Sequence, residues 1–189
     1  MSSVFYAFQE RAQLYSCVGK ENELMVVTRR GKTTSTTAMN NVRAALLKDD
    51  TKFSNGDIVT SLSNSNDKFF VVAKQSNTEA TQAQLYRINT TITICKLTKG
   101  YVNGVFTGKY VEAVVSTDIP CYQRDVTTKM KEYDGGLLQD TCKKLLIPKN
   151  SVVLDDRIKI GTNNFRVTYI NDSGFDGLFE VQVSVDLRV

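Results

Sequence analysis

Residues 153–172, VLDDRIKIGTNNFRVTYIND, read as a strand, a tight turn and a second strand. A weaker copy, SNGDIVTSLSNSNDKFFVVAKQSN, runs from Ser54 to Asn77. Asn55-Gly56-Asp57-Ile58-Val59 aligns with Leu154-Asp155-Asp156-Arg157-Ile158. Each copy sets a carboxylate, Asp57 or Asp156, where a strand begins, and an Asp there can accept backbone hydrogen bonds in a tight approach. A polar turn follows, SNSND in one and GTNN in the other, of residues that hydrogen-bond their own backbone. An aromatic and β-branched residues come next, Phe70-Val71-Val72 and Phe165-Arg166-Val167. The pattern predicts a curled hairpin whose aromatic returns over the first strand and covers the core. Burying one such phenylalanine contributes about 1.5–3 kcal/mol. Common use of this pattern in small β-barrels explains the likeness as well as an internal repeat does.

The rest of the chain extends the β reading. ELMVVTRR (23–30) reads as a strand ended by Gly31. AQLYRIN and TTITICKLTK form a long extended stretch, and Asn103-Gly104 signals a type I′ turn. YVEAVVSTDIP is a strand stopped by Pro120, and GLFEVQVSVDLRV closes the series by alternation. Residues 4–16 read as a short helix or an arm. Thr37, Ala38, Met39, Val42, Ala45, Leu46 and Leu47 recur at helical spacing, with threonines to cap the start, and predict one short helix near residues 36–48. Residues 121–149 are polar with Gly135-Gly136 in the middle, and read as a loop insertion, mobile or partner-dependent. Short strands with turns between them predict a mainly β fold, a small barrel or sandwich built from antiparallel hairpins. The predicted layout is a single β-rich domain over 1–189, with an N-terminal arm or helix region (1–52), a β-core (53–120 and 147–189) and the insertion (121–149).

Composition narrows the chemistry. The 189 residues contain no histidine, so the usual general base near neutral pH is missing. Serine–histidine and cysteine–histidine mechanisms are excluded, and no enzyme activity is expected. Cys17, Cys95, Cys121 and Cys142 make no close pair of the kind zinc sites use, and read as buried free thiols; no metal or cofactor is expected. Asp155 and Asp156 would point to opposite faces of a strand, and Asp49-Asp50 reads as a solvated turn. Gly31-Lys32-Thr33 echoes the end of a phosphate-binding loop, but Val26 stands where that loop needs its first glycine. No apolar run reaches the roughly 18 residues a membrane helix needs, and the start of the chain does not read as a secretion signal.

Ile147-Pro148-Lys149, then LDDRIKIGTNNFRVTYIND, then GLFEVQVSVDLR resemble head-closure or head–tail connector proteins of the neck of tailed bacteriophages. LYRINTTITICKL is similar, less specifically, to related connectors of phages infecting Gram-positive hosts. The resemblance covers residues 54–97 and 147–188. The chain departs from the family pattern with Asp155 where glycine is more usual, with the 121–149 insertion and with its N-terminal helix. The resemblance implies a structural virion protein, assembled in the host cytoplasm. It implies a homo-oligomeric ring, hexameric or dodecameric, joining the DNA-filled head to the tail in a head-closure, stopper or tail-completion role. Its partners would be portal or adaptor proteins and tail proteins, with no membrane.

The net charge is +4. Arg29, Arg30 and Lys32, with Lys143 and Lys144, are the basic clusters placed to line a DNA channel or meet an acidic partner. A channel subunit must let DNA slide past, so weak, scattered charge and transient, non-specific contact suit it. The alternative is an OB-like nucleic-acid-binding β-barrel, with Tyr86-Arg87 and Phe165-Arg166 as its aromatic and basic elements.

Overall fold

The computed structural model describes residues 3–29, 41–64, 67–78 and 80–188. The chain is mainly β, in antiparallel sheets. A short helix, α1 (Ser3–Ala7), and a single 3₁₀ turn (Gln9–Arg11) come first. The strands β1 (Gln13–Cys17), β2 (Lys20–Arg29), β3 (Val42–Leu47), β4 (Ile58–Ser61), β5 (Lys68–Ser76) and β6 (Thr81–Arg87) follow. They close into a barrel in the order β1-β2-β3-β6-β5-β4, with β4 back against β1. The second set is β7 (Thr90–Val102), β8 (Val105–Asp125), β9 (Lys143–Pro148), β10 (Arg157–Ile160), β11 (Asn163–Phe175) and β12 (Leu178–Val185), with a helix α2 (Thr128–Tyr133) between β8 and β9. It closes in the order β7-β8-β9-β12-β11-β10, with β10 back against β7.

Six strands, then the same six-strand order again: the chain is a structural repeat. It divides into two compact units, 1–89 with 175–177, and 90–174 with 178–189. Each has its own core. Tyr15, Met25, Ala45, Leu47, Phe53 and Phe69 are among the buried residues that fill the first. Ile92, Ile94, Leu145, Ile147, Val152 and Phe165 are among those of the second. The single β-core expected from residues 53–120 and 147–189 is replaced by these two. Residues 13–29 and 42–47, expected in an N-terminal arm or helix region, supply half the strands of the first barrel.

The paired hairpins foreseen in the sequence, β4–β5 and β10–β11, stand at equivalent places, and their details match. Asp57 Oδ2 accepts from Ser54 N at 2.7 Å, and Asp156 Oδ2 accepts from Val153 N at 2.9 Å. Just before each Asp the backbone is left-handed, at φ 86° in Gly56 and φ 70° in Asp155. Asp155 thus adopts a conformation that glycine takes more readily. Val71 N donates to Asp57 O at 2.9 Å, as Val167 N donates to Asp156 O at 3.0 Å. Ladder register corrects the aromatic equivalence by one residue. Val59 faces Phe69 as Ile158 faces Phe165, so Phe69, not Phe70, is the counterpart of Phe165. Ala45 likewise faces Ala83 as Leu145 faces Val181.

Three further expectations change. The helix expected near 36–48 has its first part outside the described residues, whereas Val42–Leu47 is strand β3. Its partners β2 and β6 draw Ala45 and Leu47 into the core, so non-local pairing overrides local helix preference. Pro120 does not stop β8, which runs on to Asp125. The β7–β8 ladder slips register between Ile92 and Ile94, and Asp118 has φ 54°, an irregularity of the kind that accommodates a proline in a strand. The 121–149 insertion contains the end of β8, α2 and all of β9. Its middle is pinned by buried Gln182 of β12, whose amide oxygen accepts from Thr141 Oγ1 at 2.8 Å and Leu138 N at 3.0 Å, and whose nitrogen donates to Gly136 O at 2.7 Å. Nor does either barrel match the OB pattern, which has five strands and is partly open.

Matching core positions in separate units should fail separately. Phe69→Ala and Phe165→Ala should each cost about 3–5 kcal/mol. Amide hydrogen exchange read by mass spectrometry should accelerate in β1–β6 for the first variant and in β7–β12 for the second. Equal acceleration in both halves for either variant would contradict independent cores.

Candidate functional site

Repetition makes the departures from it informative. β1 has 5 residues and β2 has 10, whereas their counterparts β7 and β8 have 13 and 21. The additional length forms a two-stranded arm. β10 pairs with β7 only at Thr93–Cys95, and β9 pairs with β8 only at Tyr122–Asp125. Beyond Cys95, β7 therefore has only β8 as a strand partner among the described residues. The pairing runs out through Leu97↔Glu112 and Tyr101↔Phe106 to Val102↔Val105. Asn103 (φ 51°) and Gly104 (φ 79°) make the type I′ turn that the sequence signalled.

The arm carries apolar side chains in water. Tyr101, Val102, Val105, Val111 and Val114 are each about 60–70% exposed, and Phe106 is 40% exposed. Three aromatic rings run along it, with 6.0 Å between the centroids of Tyr101 and Phe106 and 5.6 Å between those of Phe106 and Tyr110. Lys99 Nζ lies 5.8 Å from the Phe106 centroid. The arm thus exposes apolar side chains on both of its strands, with Lys99 beside Phe106.

A charge cluster fastens the root of the arm. Arg157 of β10 is 8% exposed and Asp186, just after β12, is also 8% exposed. Arg157 Nε donates to Asp186 Oδ2 at 2.8 Å, and Arg157 Nη1 donates to Glu112 Oε2 at 3.1 Å. Glu112, on β8, also takes a hydrogen bond from Lys159. Arg188 Nε donates to Asp186 Oδ1 at 2.8 Å, and its guanidinium lies 5.9 Å from the Tyr110 ring centroid. The C-terminal residues thus tie β10 to the point where β8 leaves the barrel. Burial alone would push the Asp186 carboxyl up, but hydrogen bonds from Arg188 and Arg157 outweigh it and hold Asp186 well below the usual carboxylate range. The hydrogen bond from Lys159 likewise lowers Glu112, with a further one from Arg157.

Of the basic residues singled out in the sequence, Arg29 belongs to the first unit and Lys143 and Lys144 to the second. Arg30 and Lys32 lie outside the described residues. Arg29 ends β2, where its backbone pairs with Arg43. Lys143 ion-pairs with Asp125 and lies 5.7 Å from the Phe165 ring centroid. Lys144 Nζ is 2.9 Å from Glu180 and 3.7 Å from Asp134. Both lysines are thus engaged by carboxylates of their own unit. Of the OB-type elements, Phe165 is core, Arg166 pairs with Asp155 at 2.5 Å and Arg87 with Asp67 at 2.7 Å. Cys95 and Cys121 are buried, Cys17 and Cys142 half-buried, and all four are free thiols. Burial pushes the Cys121 thiol up to about 12.

The arm was read in the sequence as a hairpin, not as a projection. The available signal was strand length, together with loss of the inside–outside alternation after Cys95. No protein-family model and no curated protein matches the chain.

Because the folded Asp186 carboxyl is depressed, its contribution to stability is complete above the unfolded carboxylate pKa of about 3.9 and is lost as pH falls below it. Asp186→Asn leaves Arg157 buried beside a neutral partner and should cost about 3 kcal/mol near neutral pH. Thermal melts from pH 7 down to pH 3 should show the wild-type advantage over the variant shrinking as the pH drops. A constant difference would remove Asp186 ionisation as its source.

Proposed function

We propose that this chain is a non-catalytic structural subunit of the neck of a tailed bacteriophage. The barrels serve as rigid frame, and the β7–β8 arm makes the contacts that build a ring between head and tail. The observation that carries the reading is the arm: a hairpin that is far longer in the second repeat than its counterpart among the described residues of the first, anchored by buried charges and apolar in water. A catalytic protein needs reactive groups converging on a cleft; this chain invests its extra length in contact surface. The neck assignment rests on the likeness of LDDRIKIGTNNFRVTYIND and its neighbours to connector proteins, and those residues form the hairpin and closing strands of the second barrel.

In this reading the subunit acts mechanically. A ring requires contacts in which one surface of a subunit meets a different surface of the next, with a rotation that closes. The arm supplies one such surface, and its strand edges and exposed valines supply the energy. The lysine-bearing surface gives weak, sequence-independent attraction to passing DNA, which a channel tolerates. Portal or adaptor proteins on one side and tail proteins on the other are the partners, and the virion is the location.

Electron microscopy and light scattering on the purified protein, alone and mixed with portal and tail proteins of the same virus, test this. Closed rings should form, and Tyr101→Ser with Phe106→Ser should abolish them while both barrels keep their circular-dichroism signal. A wild-type protein that stays monomeric in every mixture would overturn the neck reading.

A further inference from the structure

Between the root of the arm and the second barrel lies a cleft of about 450 Å³. One wall is the Lys96–Lys99 stretch of β7, which has no strand partner on that side among the described residues. The opposite wall includes Leu154, which is 59% exposed. Tyr110, Arg166 and Arg188 also line it. An unpaired strand edge presents a row of backbone donors and acceptors ready to template another strand. The cleft holds four cations, Lys96 and Lys99 on the strand itself and Arg166 and Arg188 elsewhere in its lining, beside the carboxylates Asp155 and Asp156. Arg166 is offset by Asp155, and Arg188 by Asp186. Lys96 and Lys99 are exposed and meet no carboxylate among the described residues. The volume lies in the range of ligand-binding clefts.

We infer that this cleft binds an extended, acidic segment of a partner protein, which adds to the free edge of β7 as a third strand. Backbone hydrogen bonds to the edge supply affinity, as in other cases of strand addition. Lys96 and Lys99 are three residues apart and so lie on opposite faces of β7, Lys99 on the face of Tyr110. Specificity therefore comes from a segment with a carboxylate on each face to meet them, and apolar side chains beside these to rest on Leu154 and Tyr110. A nucleic-acid strand is the less favoured occupant, because it has no amide row to match the edge. The inference rests on the arm being a contact element, and not on the neck assignment. The cleft also differs from the Tyr101–Phe106 surface used to test ring assembly, so either reading can fail alone.

Lysines on an edge also serve simply to repel unwanted strands, and the experiment separates the two uses. A capped octapeptide of repeated Asp-Asp-Val-Val, which sets carboxylates on both faces of a strand, is titrated against the full chain, with a Lys-Lys-Val-Val octapeptide and octathymidylate as controls. The acidic peptide should bind, and hydrogen exchange at Leu97–Lys99 should slow on binding. Lys96→Glu with Lys99→Glu should weaken binding at least about tenfold, or 1.4 kcal/mol, with the circular-dichroism spectrum unchanged. Absence of binding, binding without protection of those amides, or equal affinity for either control would overturn the inference.

Discussion

Closure of each barrel depends on its fourth strand returning to its first. β4 meets β1 over Tyr15–Cys17, and β10 meets β7 over Thr93–Cys95. These seams are only three residue pairs long, yet they remove the edges of a six-stranded sheet. Their position is fixed just upstream, where a left-handed residue and an Asp that accepts a backbone amide turn the chain into the fourth strand. Ser54 to Asp57 does this in one barrel and Val153 to Asp156 in the other. A backbone turn held by its own side chain tolerates wide variation in the core it encloses. That explains how Tyr15, Met25 and Phe53 pack one interior while aliphatic side chains dominate the other.

Local chemistry made part of this legible in the sequence. Asp57, Asp156 and Asn103-Gly104 are short-range signals, and each has the role its residue type implied. What could not be read was decided at long range. Val42–Leu47 has helix-favouring alanines and leucines, and only pairing with Met25–Arg29 and Thr81–Tyr86 makes it a strand. The choice between Phe69 and Phe70 hung on a one-residue register, which exchanges the faces of a strand. The division into two cores escaped notice because only Ile88 and Asn89, too few to read as a linker, stand between β6 and β7. Of the candidate site, Lys143 and Lys144 were visible as charges, but their carboxylate partners come from β8, the residue after α2 and β12, and cannot be paired by inspection of the chain.

The arm shows how a repeat gains a property that its frame lacks. Lengthening one hairpin leaves the barrel order intact, because β7 and β8 keep their places beside β10 and β9. A free two-stranded ribbon is marginal in water, so the added length needs an anchor. Glu112 provides it: it sits two residue pairs beyond the barrel and receives both Arg157 and Lys159. Gly100 fits the same account, since a Cβ there would lie 3.1 Å from Lys109 O, so a side chain would crowd the close approach of the two strands.

Burying Arg157 and Asp186 is costly by itself, and a well-packed apolar set of similar volume would often do as well for stability. Apolar packing, however, is indifferent to direction, whereas Arg157 binds Asp186 through Nε and Glu112 through Nη1, two acceptors from different parts of the chain. Such a fork fixes the angle at which β8 leaves the barrel. An arm meant only to be soluble would need no fixed angle. One that must present Tyr101 and Phe106 to a partner at a set position does, since every residual swing of the ribbon would have to be frozen out on binding. On the proposed reading, the buried charges at the root and the exposed rings at the tip serve a single requirement: a contact surface held out in water and held still.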